Sequence, residues 1–234
     1  MKVLANFEDN HKIPSNSSLD DLLGGGFEKG TITQIYGPPS SGKSNISLAL
    51  AVNVAKNNKK VVYIDTEGGI SIDRIKQISG PYFSNVANHI VVLEPTNFLE
   101  QTENLRSIDV WLRKHHEEVD LIVLDSAVAL YRIDDMKSYK LSKELRKQIQ
   151  LLSYLAKKYD LVAILTNQIY NAFDDEGNNE VKAVGGDIIE YISKTIIKLD
   201  RADDINQRTA TLMRHRSIPE GKQVVFSIIS SGII

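Results

Sequence analysis

The stretch Thr31-Ile-Thr-Gln-Ile-Tyr-Gly-Pro-Pro-Ser-Ser-Gly-Lys-Ser44 decides the fold of this chain. Its first part, Ile32 to Tyr36, predicts a buried strand, and Asn45 to Val54 after it predicts a helix. Between them, Gly37 to Ser44 fits the spacing Gly-x-x-x-x-Gly-Lys-Ser, whose glycines let successive backbone N–H groups turn toward phosphate oxygens. The alternative is an ordinary glycine-rich turn with a surface lysine, and the flanking strand and helix argue against it.

A loop of this kind binds the phosphates of a nucleotide, so ATP and Mg²⁺ are the predicted cofactors. Lys43 is expected to neutralise phosphate charge and the Ser44 hydroxyl to ligate Mg²⁺, while the helix N-terminus adds positive potential. The predicted cofactor-binding residues are Gly37, Pro38, Pro39, Ser40, Ser41, Gly42, Lys43 and Ser44.

The composition limits the other classes of protein. With 234 residues, of which 42% are hydrophobic, the chain suits one globular ATPase domain over residues 1–234, in which residues 1–30 precede the first core strand. No apolar run approaches the roughly 18 residues that span a bilayer, and we expect a cytoplasmic protein without membrane contact. The lack of cysteine excludes thiol chemistry. The net charge of -2 means that any nucleic-acid binding must come from a local patch.

Apolar runs alternate with amphipathic stretches, which predicts an α/β fold with a mostly parallel sheet and helices on both faces. The runs that suit strands buried on both faces are Thr31 to Tyr36, Val61 to Asp65, Ile90 to Glu94, Leu121 to Asp125 and Leu161 to Thr166. Predicted helices cover Lys43 to Lys56, Phe98 to His116 and Ser142 to Tyr159, and Leu19 to Leu23 predicts a short capped helix. Three late runs, with no helix predicted between them, suggest antiparallel strands along one edge: Thr195 to Leu199, Thr209 to Met213 and Val224 to Ile229.

Polar side chains follow three of the predicted strands, where ligands bind in open α/β sheets. Asp125 is a candidate ligand for the Mg²⁺ held by Ser44, and Glu67 is a candidate base for a water that attacks the γ-phosphate. Asp65 suits a supporting hydrogen-bond role, and Gln168 can contact the γ-phosphate. A structural acid at a strand end, a solvated acid in a turn and a plain strand-end amide are the alternatives for Asp125, Glu67 and Gln168.

With these pieces in order, nearly the whole chain resembles the core ATPase domain of the RecA/RadA recombinases, most closely an archaeal branch of paralogues. The strings that carry the resemblance are Leu19-Asp-Asp-Leu-Leu-Gly-Gly-Gly26, Tyr63-Ile-Asp-Thr-Glu-Gly68, Leu124-Asp-Ser-Ala-Val-Ala-Leu-Tyr-Arg132, Leu165-Thr-Asn-Gln168, Val184-Gly-Gly-Asp-Ile-Ile189 and Arg214-His-Arg-Ser-Ile-Pro-Glu220. The resemblance implies a RecA-like phosphate-loop core, with Glu67 as the catalytic glutamate, Gln168 as a nucleotide sensor and Arg132 in a first DNA-facing loop. It also implies DNA, a RadA-type recombinase and repair enzymes such as a Holliday-junction resolvase as partners.

Two features of a full recombinase are missing from the sequence. About thirty residues precede the first strand, where the resemblance would place a helical domain, and no Phe is followed three positions later by Ala. Such a Phe-x-x-Ala segment is what the resemblance implies for docking onto a neighbouring subunit. We therefore expect a monomer or dimer instead of a filament.

A basic stretch after Arg132 is the candidate DNA surface, with Lys137, Lys140, Lys143, Arg146 and Lys147 as cations and Tyr131 and Tyr139 as possible stacking rings. A solvated basic helix face is the alternative. The second DNA loop should lie in residues 169–184, where four acids oppose phosphate. DNA affinity should then be modest, and those acids suit a basic partner protein.

Arg214 and Arg216 form a basic-x-Arg pair near the end of a late strand. Related hexameric ATPases insert such a pair into a neighbour's nucleotide site, which makes these residues candidates for acting in trans. A basic strand end on a monomer surface is the alternative.

Three functions remain open from the sequence. The first is a regulator of recombination and DNA repair, a weak ATPase that binds single-stranded or branched DNA and assists the main recombinase. The second is an autonomous DNA-dependent ATPase with strand-exchange or helicase activity. The third is a nucleotide-gated signalling module without DNA binding. The missing docking elements count against the second, and residues 125–132 favour recombinase relatives over the third.

Overall fold

A computed structural model describes residues 12–133, 139–173, 179–183 and 187–234. The helices are α1 (Leu19–Leu23), α2 (Lys43–Lys56), α3 (Ile72–Ser79), α4 (Phe83–Ala87), α5 (Phe98–His115), α6 (Ala129–Ile133), α7 (Tyr139–Tyr159) and α8 (Asp187–Ile192). The strands are β1 (Lys12–Ile13), β2 (Phe27–Glu28), β3 (Thr31–Gly37), β4 (Lys60–Asp65), β5 (Ile90–Leu93), β6 (Val119–Asp125), β7 (Val162–Phe173), β8 (Asn179–Ala183), β9 (Thr195–Arg201), β10 (Gln207–Arg214), β11 (Gln223–Ile229) and β12 (Gly232–Ile233). Single 3₁₀ turns lie at Gly80–Tyr82 and His116–Glu118.

Most of the strands form one central sheet in the order β12-β11-β10-β9-β3-β7-β6-β4-β5, and β8 pairs with β7. The neighbours from β9 to β5 are parallel, whereas β10, β11 and β12 continue the sheet in antiparallel pairs. The carboxyl ends of the central parallel strands β3, β7, β6 and β4 therefore meet at one edge, as the predicted α/β fold requires.

Alternate residues of each central strand enter two different apolar cores. Along β6, Leu121 and Val123 join the core beneath α1, α2, α3 and α4, and Ile122 and Leu124 join the core beneath α5, α6, α7 and α8. Because strand side chains alternate between faces, a continuous apolar run is what a sheet covered on both sides needs. The amphipathic face predicted on α7 is buried in the second core.

Two expectations about the strands are wrong in detail. The run at Ile90 to Glu94 forms β5, which lies at the sheet edge with Val91 and Val92 each 38% exposed, so it is not buried on both faces. The run at Thr195 to Leu199 forms β9, which is parallel to β3 because the helix α8 precedes it and returns the chain to the other end of the sheet. On its other side β9 pairs antiparallel with β10, as expected, so the antiparallel part of the sheet begins there.

The region expected to hold a second DNA loop contains paired strands. β7 continues to Phe173 and pairs antiparallel with β8, so residues 169–173 and 179–183 form paired strands. The acids Asp174, Asp175 and Glu176 lie outside the described residues. In the part of the chain that the structure describes, every helix is too short or too polar to cross a membrane.

Candidate nucleotide-binding site

Two glycines give the loop between β3 and α2 its shape. A Cβ at Gly37 would lie 2.4 Å from the Leu199 carbonyl oxygen on the neighbouring strand. Gly42 has φ +102, a conformation that L side chains rarely adopt, and a Cβ there would lie 3.0 Å from Ile228. The chain can turn directly from strand to helix only because both positions lack side chains.

Lys43 folds back over this loop. Its Nζ donates to the carbonyl oxygens of Gly37 and Pro38, both at 2.9 Å. Partial burial lowers the pKa of the Lys43 ammonium, and the nearby carboxylates of Glu67 and Asp125 oppose that shift. The ammonium is thus held at the mouth of the loop, next to two acids.

The first turn of α2 leaves its backbone N–H groups available. Gly42 stands at the N-cap and supplies no side-chain hydrogen bond, and the Ile46 N–H donates to the Gly42 carbonyl oxygen at 3.0 Å. Uncapped amides at the start of a fourteen-residue helix, beside an ammonium group, form a strong site for an anion.

Asp125 ends β6 with its carboxylate held on both oxygens. Tyr63 donates its hydroxyl to Oδ2 at 2.7 Å, and Thr166 donates to Oδ1 at 2.5 Å. Burial, followed by the Asp125 charge, raises the pKa of the Tyr63 phenol, which therefore remains a donor at neutral pH. Strands β4 and β7 thus fix the orientation of a carboxylate contributed by the strand between them.

Asp65 shapes the turn that carries Glu67. Its carboxylate accepts from the backbone N–H groups of Glu67, Gly69 and Ile70 at 3.2, 3.1 and 2.8 Å. The supporting role predicted for Asp65 is confirmed by these three bonds. Thr66 adds a link to β6, since its hydroxyl donates to the Ser126 carbonyl oxygen at 2.8 Å. Glu67 is therefore fixed to the end of the strand that bears Asp125.

These elements surround one cavity of about 200 Å³ at the carboxyl edge of the sheet. Its lining residues are Pro39, Ser40, Gly42, Lys43, Ser44, Asn45, Glu67, Asp125 and Gln168. Of the predicted loop residues, Gly37, Pro38 and Ser41 stand behind the lining and shape the backbone. The amide of Gln168 donates to Glu67 at 2.7 Å and accepts from Arg132 at 2.6 Å. The structure thus brings Lys43, Ser44, Glu67, Asp125 and Gln168 into one site.

Similarity to known proteins agrees with this geometry. The Rad51 family profile matches residues 12–234. The chain belongs to the Rad51 family, in its RadB branch. The "DNA repair and recombination protein RadB" of Methanobrevibacter smithii is 67% identical over the full length of both chains, and that of Methanothermobacter thermautotrophicus is 46% identical over the same span. A solved structure described as the RadB recombinase superposes with a TM-score of 0.81 at 33% identity, covering 94% of this chain and 98% of the other.

Arginines that the sequence did not indicate also contact the site of this Rad51-family chain. Arg201 donates to the Pro39 carbonyl oxygen at 2.9 Å and Arg208 to that of Ser40 at 3.2 Å. Ser40 has φ +63, so Arg208 holds a loop residue in an unfavourable conformation. Arg74 reaches the cavity-lining Asn45 at 2.9 Å. No local spacing connects these residues, because they meet only when β9, β10 and α3 have packed around the loop.

The basic surface of this family member is only partly described. Lys137 and the side chain of Tyr139 lie outside the described residues, whereas Arg132, Lys140 and Lys143 are exposed. The stacking role suggested for Tyr131 is wrong, because its ring packs edge-on against Phe98 and its hydroxyl bonds Ser142 at 3.2 Å.

Tyr191 is an aromatic residue of this surface that sequence reasoning missed. It is 83% exposed, and it lines a groove of about 440 Å³ together with Arg146. The spacing of two apolar neighbours could have indicated that Tyr191 is exposed. Ile189 is buried, and Ile192 packs against the second core. A helix that turns those two residues inward leaves Tyr191 outside.

Arg214 and Arg216 lie far from the site. Arg214 pairs in register with Ile196, near the start of β9. The phosphate loop instead follows the C-terminal end of β3, which is parallel to β9, so it lies at the opposite end of these strands. Arg216 donates to the Glu28 carboxylate at 2.9 and 2.7 Å, and Arg214 donates to the Glu190 carbonyl. Both guanidinium groups are thus engaged within the chain, and their action on a neighbour stays a prediction.

Proposed function

We propose that the chain binds ATP with Mg²⁺, hydrolyses it slowly, binds DNA and assists a RadA-type recombinase in repair. The observation that carries the nucleotide part is the single cavity that joins Lys43 and the uncapped start of α2 to Glu67, Asp125 and Gln168. An ammonium group and free amides suit the phosphates, and the acids suit a cation and a water.

The residues present fit a magnesium ion. Hard oxygen donors are its preferred ligands, and Ser44 and Asp125 offer a hydroxyl and a carboxylate within the same cavity. Bound Mg²⁺ would supply positive charge that offsets the charge on the phosphate oxygens. Tyr63 and Thr166 hold the Asp125 carboxylate in one orientation, which reduces the cost of arranging it for such an ion.

Glu67 and Gln168 are the residues we assign to hydrolysis. Glu67 would accept the proton of a water directed at the γ-phosphate, and Gln168 would contact the γ-phosphate itself. In the structure these two side chains bond each other at 2.7 Å instead of facing the cavity freely. This supports slow turnover, because each group must leave the other before it can act.

The name of the similar RadB proteins supports a role in DNA repair and recombination. Positive charge for DNA comes from the exposed cations Arg132, Lys140, Lys143 and Arg146. Tyr191, beside Arg146, adds one aromatic ring. Together they suit binding of single-stranded DNA with modest affinity. We further propose that a RadA-type recombinase and repair enzymes such as a Holliday-junction resolvase are partners, and that the chain is a monomer or dimer.

The experiment that tests this function measures ATP turnover and DNA binding together. We expect low turnover, measurable binding to single-stranded DNA, and at most weak stimulation. Strong stimulation would support an autonomous motor instead, and the lack of DNA binding would support a signalling module. Light scattering with and without ATP and oligonucleotide, in the same buffers, should report one or two chains per particle.

A further inference from the structure

The phosphate loop contains a tight turn with a serine in a position that usually suits glycine. The Ser41 N–H donates to the Pro38 carbonyl oxygen at 3.2 Å, so residues 38–41 close a four-residue turn. Pro39 is the second residue of this turn, and Ser40, the third, has φ +63. A proline followed by a residue with positive φ is typical of a type II turn, whose third residue is commonly glycine or asparagine. Serine in this conformation costs free energy that glycine would not.

Two arginines bond the carbonyl oxygens that fix the type of this turn. Type I and type II turns differ by a flip of the central peptide, here the one that joins Pro39 to Ser40. Arg201 Nη2 donates to the Pro39 carbonyl oxygen at 2.9 Å, and Arg208 Nε donates to that of Ser40 at 3.2 Å. A flip of the central peptide would turn the Pro39 carbonyl away from Arg201 and break its bond.

The positions of these arginines in the sheet do not account for their presence. Arg201 on β9 and Arg208 on β10 are directly opposite each other in register. Like charges in that relation destabilise a pair of strands, so the sheet gains no stability from the pair. Arg208 is also anchored by bonds to the carbonyl oxygens of Ile205 and Gln207, at 2.8 and 2.6 Å. Its guanidinium is therefore held in place beside the phosphate loop.

We propose that Arg201 and Arg208 are positioning residues that keep the peptide between Pro39 and Ser40 in its type II orientation, with the Ser40 N–H turned toward the triphosphate. This inference rests on the nucleotide binding proposed above and adds how the loop is prepared for the phosphates. Ser40 lines the cavity, and in a trans peptide its N–H points away from the carbonyl that Arg201 bonds. A loop already held in this shape need not be ordered by the phosphates, which lowers the cost of binding them.

The test is the dissociation constant Kd of a non-hydrolysable ATP analogue with Mg²⁺ for Arg201→Ala in the full chain, measured by isothermal titration. We expect Kd to rise about tenfold, which corresponds to about 1.4 kcal/mol. The same factor should persist at about 0.5 M salt, where a guanidinium that acted only through its charge on the triphosphate would be screened. A factor that disappears at high salt would overturn the proposal.

Ser40→Gly supplies a second measurement that a general loss of stability would not reproduce. Glycine adopts a positive φ without strain, so the turn should keep its type II shape without help from the arginines. In a chain that carries Ser40→Gly, we expect Arg201→Ala to raise Kd by only about twofold, because the two changes act on the same turn and are not additive. An equal rise with and without Ser40→Gly would contradict the positioning role.

Arg113→Ala is the matched control, because Arg113 is also an exposed arginine, and it pairs with Asp109 at 3.1 Å on α5. Its Kd should equal that of the parent. An unchanged Kd in folded Arg201→Ala would overturn the proposal. If that variant does not fold by circular dichroism, Arg201→Met, which keeps an unbranched stem without a donor, must show the rise in its place. Failure of the proposed function is distinct, since the parent chain itself would then not bind the analogue.

Discussion

The central strands begin along one side of the sheet, here called the amino edge, and end along the opposite side, the carboxyl edge. The two edges carry similar charged side chains, but these side chains have different partners. At the amino edge, Glu28 is 5% exposed and pairs with Arg216 at 2.7 Å, with His215 3.7 Å away. At the carboxyl edge, within the described ranges, Lys43 bonds two carbonyl oxygens and Glu67 accepts from a neutral amide, and neither forms an ion pair. Removing one partner of a buried ion pair destabilises a fold, because the other charge is left buried and unpaired, whereas charges that face a cavity without an ionic partner are arranged for a ligand.

Replacing Lys43 tests the carboxyl edge with the largest expected effect. Lys43→Ala removes the ammonium group, and hydrogen bonds from a charged donor contribute about 1.5–3 kcal/mol each. We expect the affinity for ATP to fall by at least about a hundredfold, close to abolition of binding. Isothermal titration with a non-hydrolysable analogue measures this. Circular dichroism is needed to show that the variant folds, because Lys43 also bonds two loop carbonyl oxygens, and equal affinity in the two proteins would contradict the role of Lys43.

Glu67→Gln separates binding from chemistry at the same edge. The amide cannot accept the proton of a water, so hydrolysis should slow on the order of a hundredfold while ATP binding persists. Single-turnover phosphate release and titration with the analogue provide the two measurements. A parallel loss of affinity would mean that Glu67 holds the nucleotide instead of acting on water.

Arg216→Ala tests whether the amino edge serves the fold. The substitution leaves the buried Glu28 carboxylate without its guanidinium, which should reduce the free energy of unfolding by about 1–3 kcal/mol. Urea unfolding measures the loss, and ATPase activity per chain should be unchanged at every protein concentration. Reduced activity with unchanged stability would instead favour the action of Arg216 on a neighbouring chain.

The smallest expected effect is the pH dependence of the free energy of unfolding that His215 contributes at the amino edge. Burial lowers the pKa of the His215 imidazole, Glu28 opposes this shift, and Lys12 and Arg216 add to it. The folded chain then binds fewer protons than the unfolded chain, so acidification favours unfolding. The contribution of His215 should be constant above about pH 6.5 and decrease as the pH falls below that value toward the lowered pKa.

His215→Gln provides the comparison, because it removes the titrating group from the same position. Between about pH 7.5 and pH 5.5, the variant should lose less free energy of unfolding than the parent, as measured by urea titration. An equal or larger loss in the variant would assign the pH dependence to other groups.

The carboxyl edge was predictable from the sequence because its signals are local. The spacing of Gly37, Gly42 and Lys43 defines the loop, and the predicted bounds of α2 agree with those of the structure. Asp125 and Glu67 each follow an apolar run, so the position of each at a strand end is also a local property. Parallel pairing of the strands then brings the two acids to one edge.

Contacts between distant segments could not be predicted in this way. Arg201 and Arg208 reach the loop from more than 160 positions away in the sequence, and only the order of the strands places them there. The burial of β5 also could not be predicted. Its apolar residues suggest a buried strand, but β5 is the last strand of the sheet and is partly exposed. Burial depends on which strands become neighbours, and hydrophobic periodicity does not determine that.

We propose above all that the carboxyl edge of the sheet holds a triphosphate and its metal ion. A crystal structure with a non-hydrolysable ATP analogue and Mg²⁺ tests it most directly. We predict phosphate oxygens on Lys43 and on the first amides of α2, with the ion between Ser44 and Asp125. An analogue bound elsewhere, or a loop that remains empty at saturating analogue, would contradict the account.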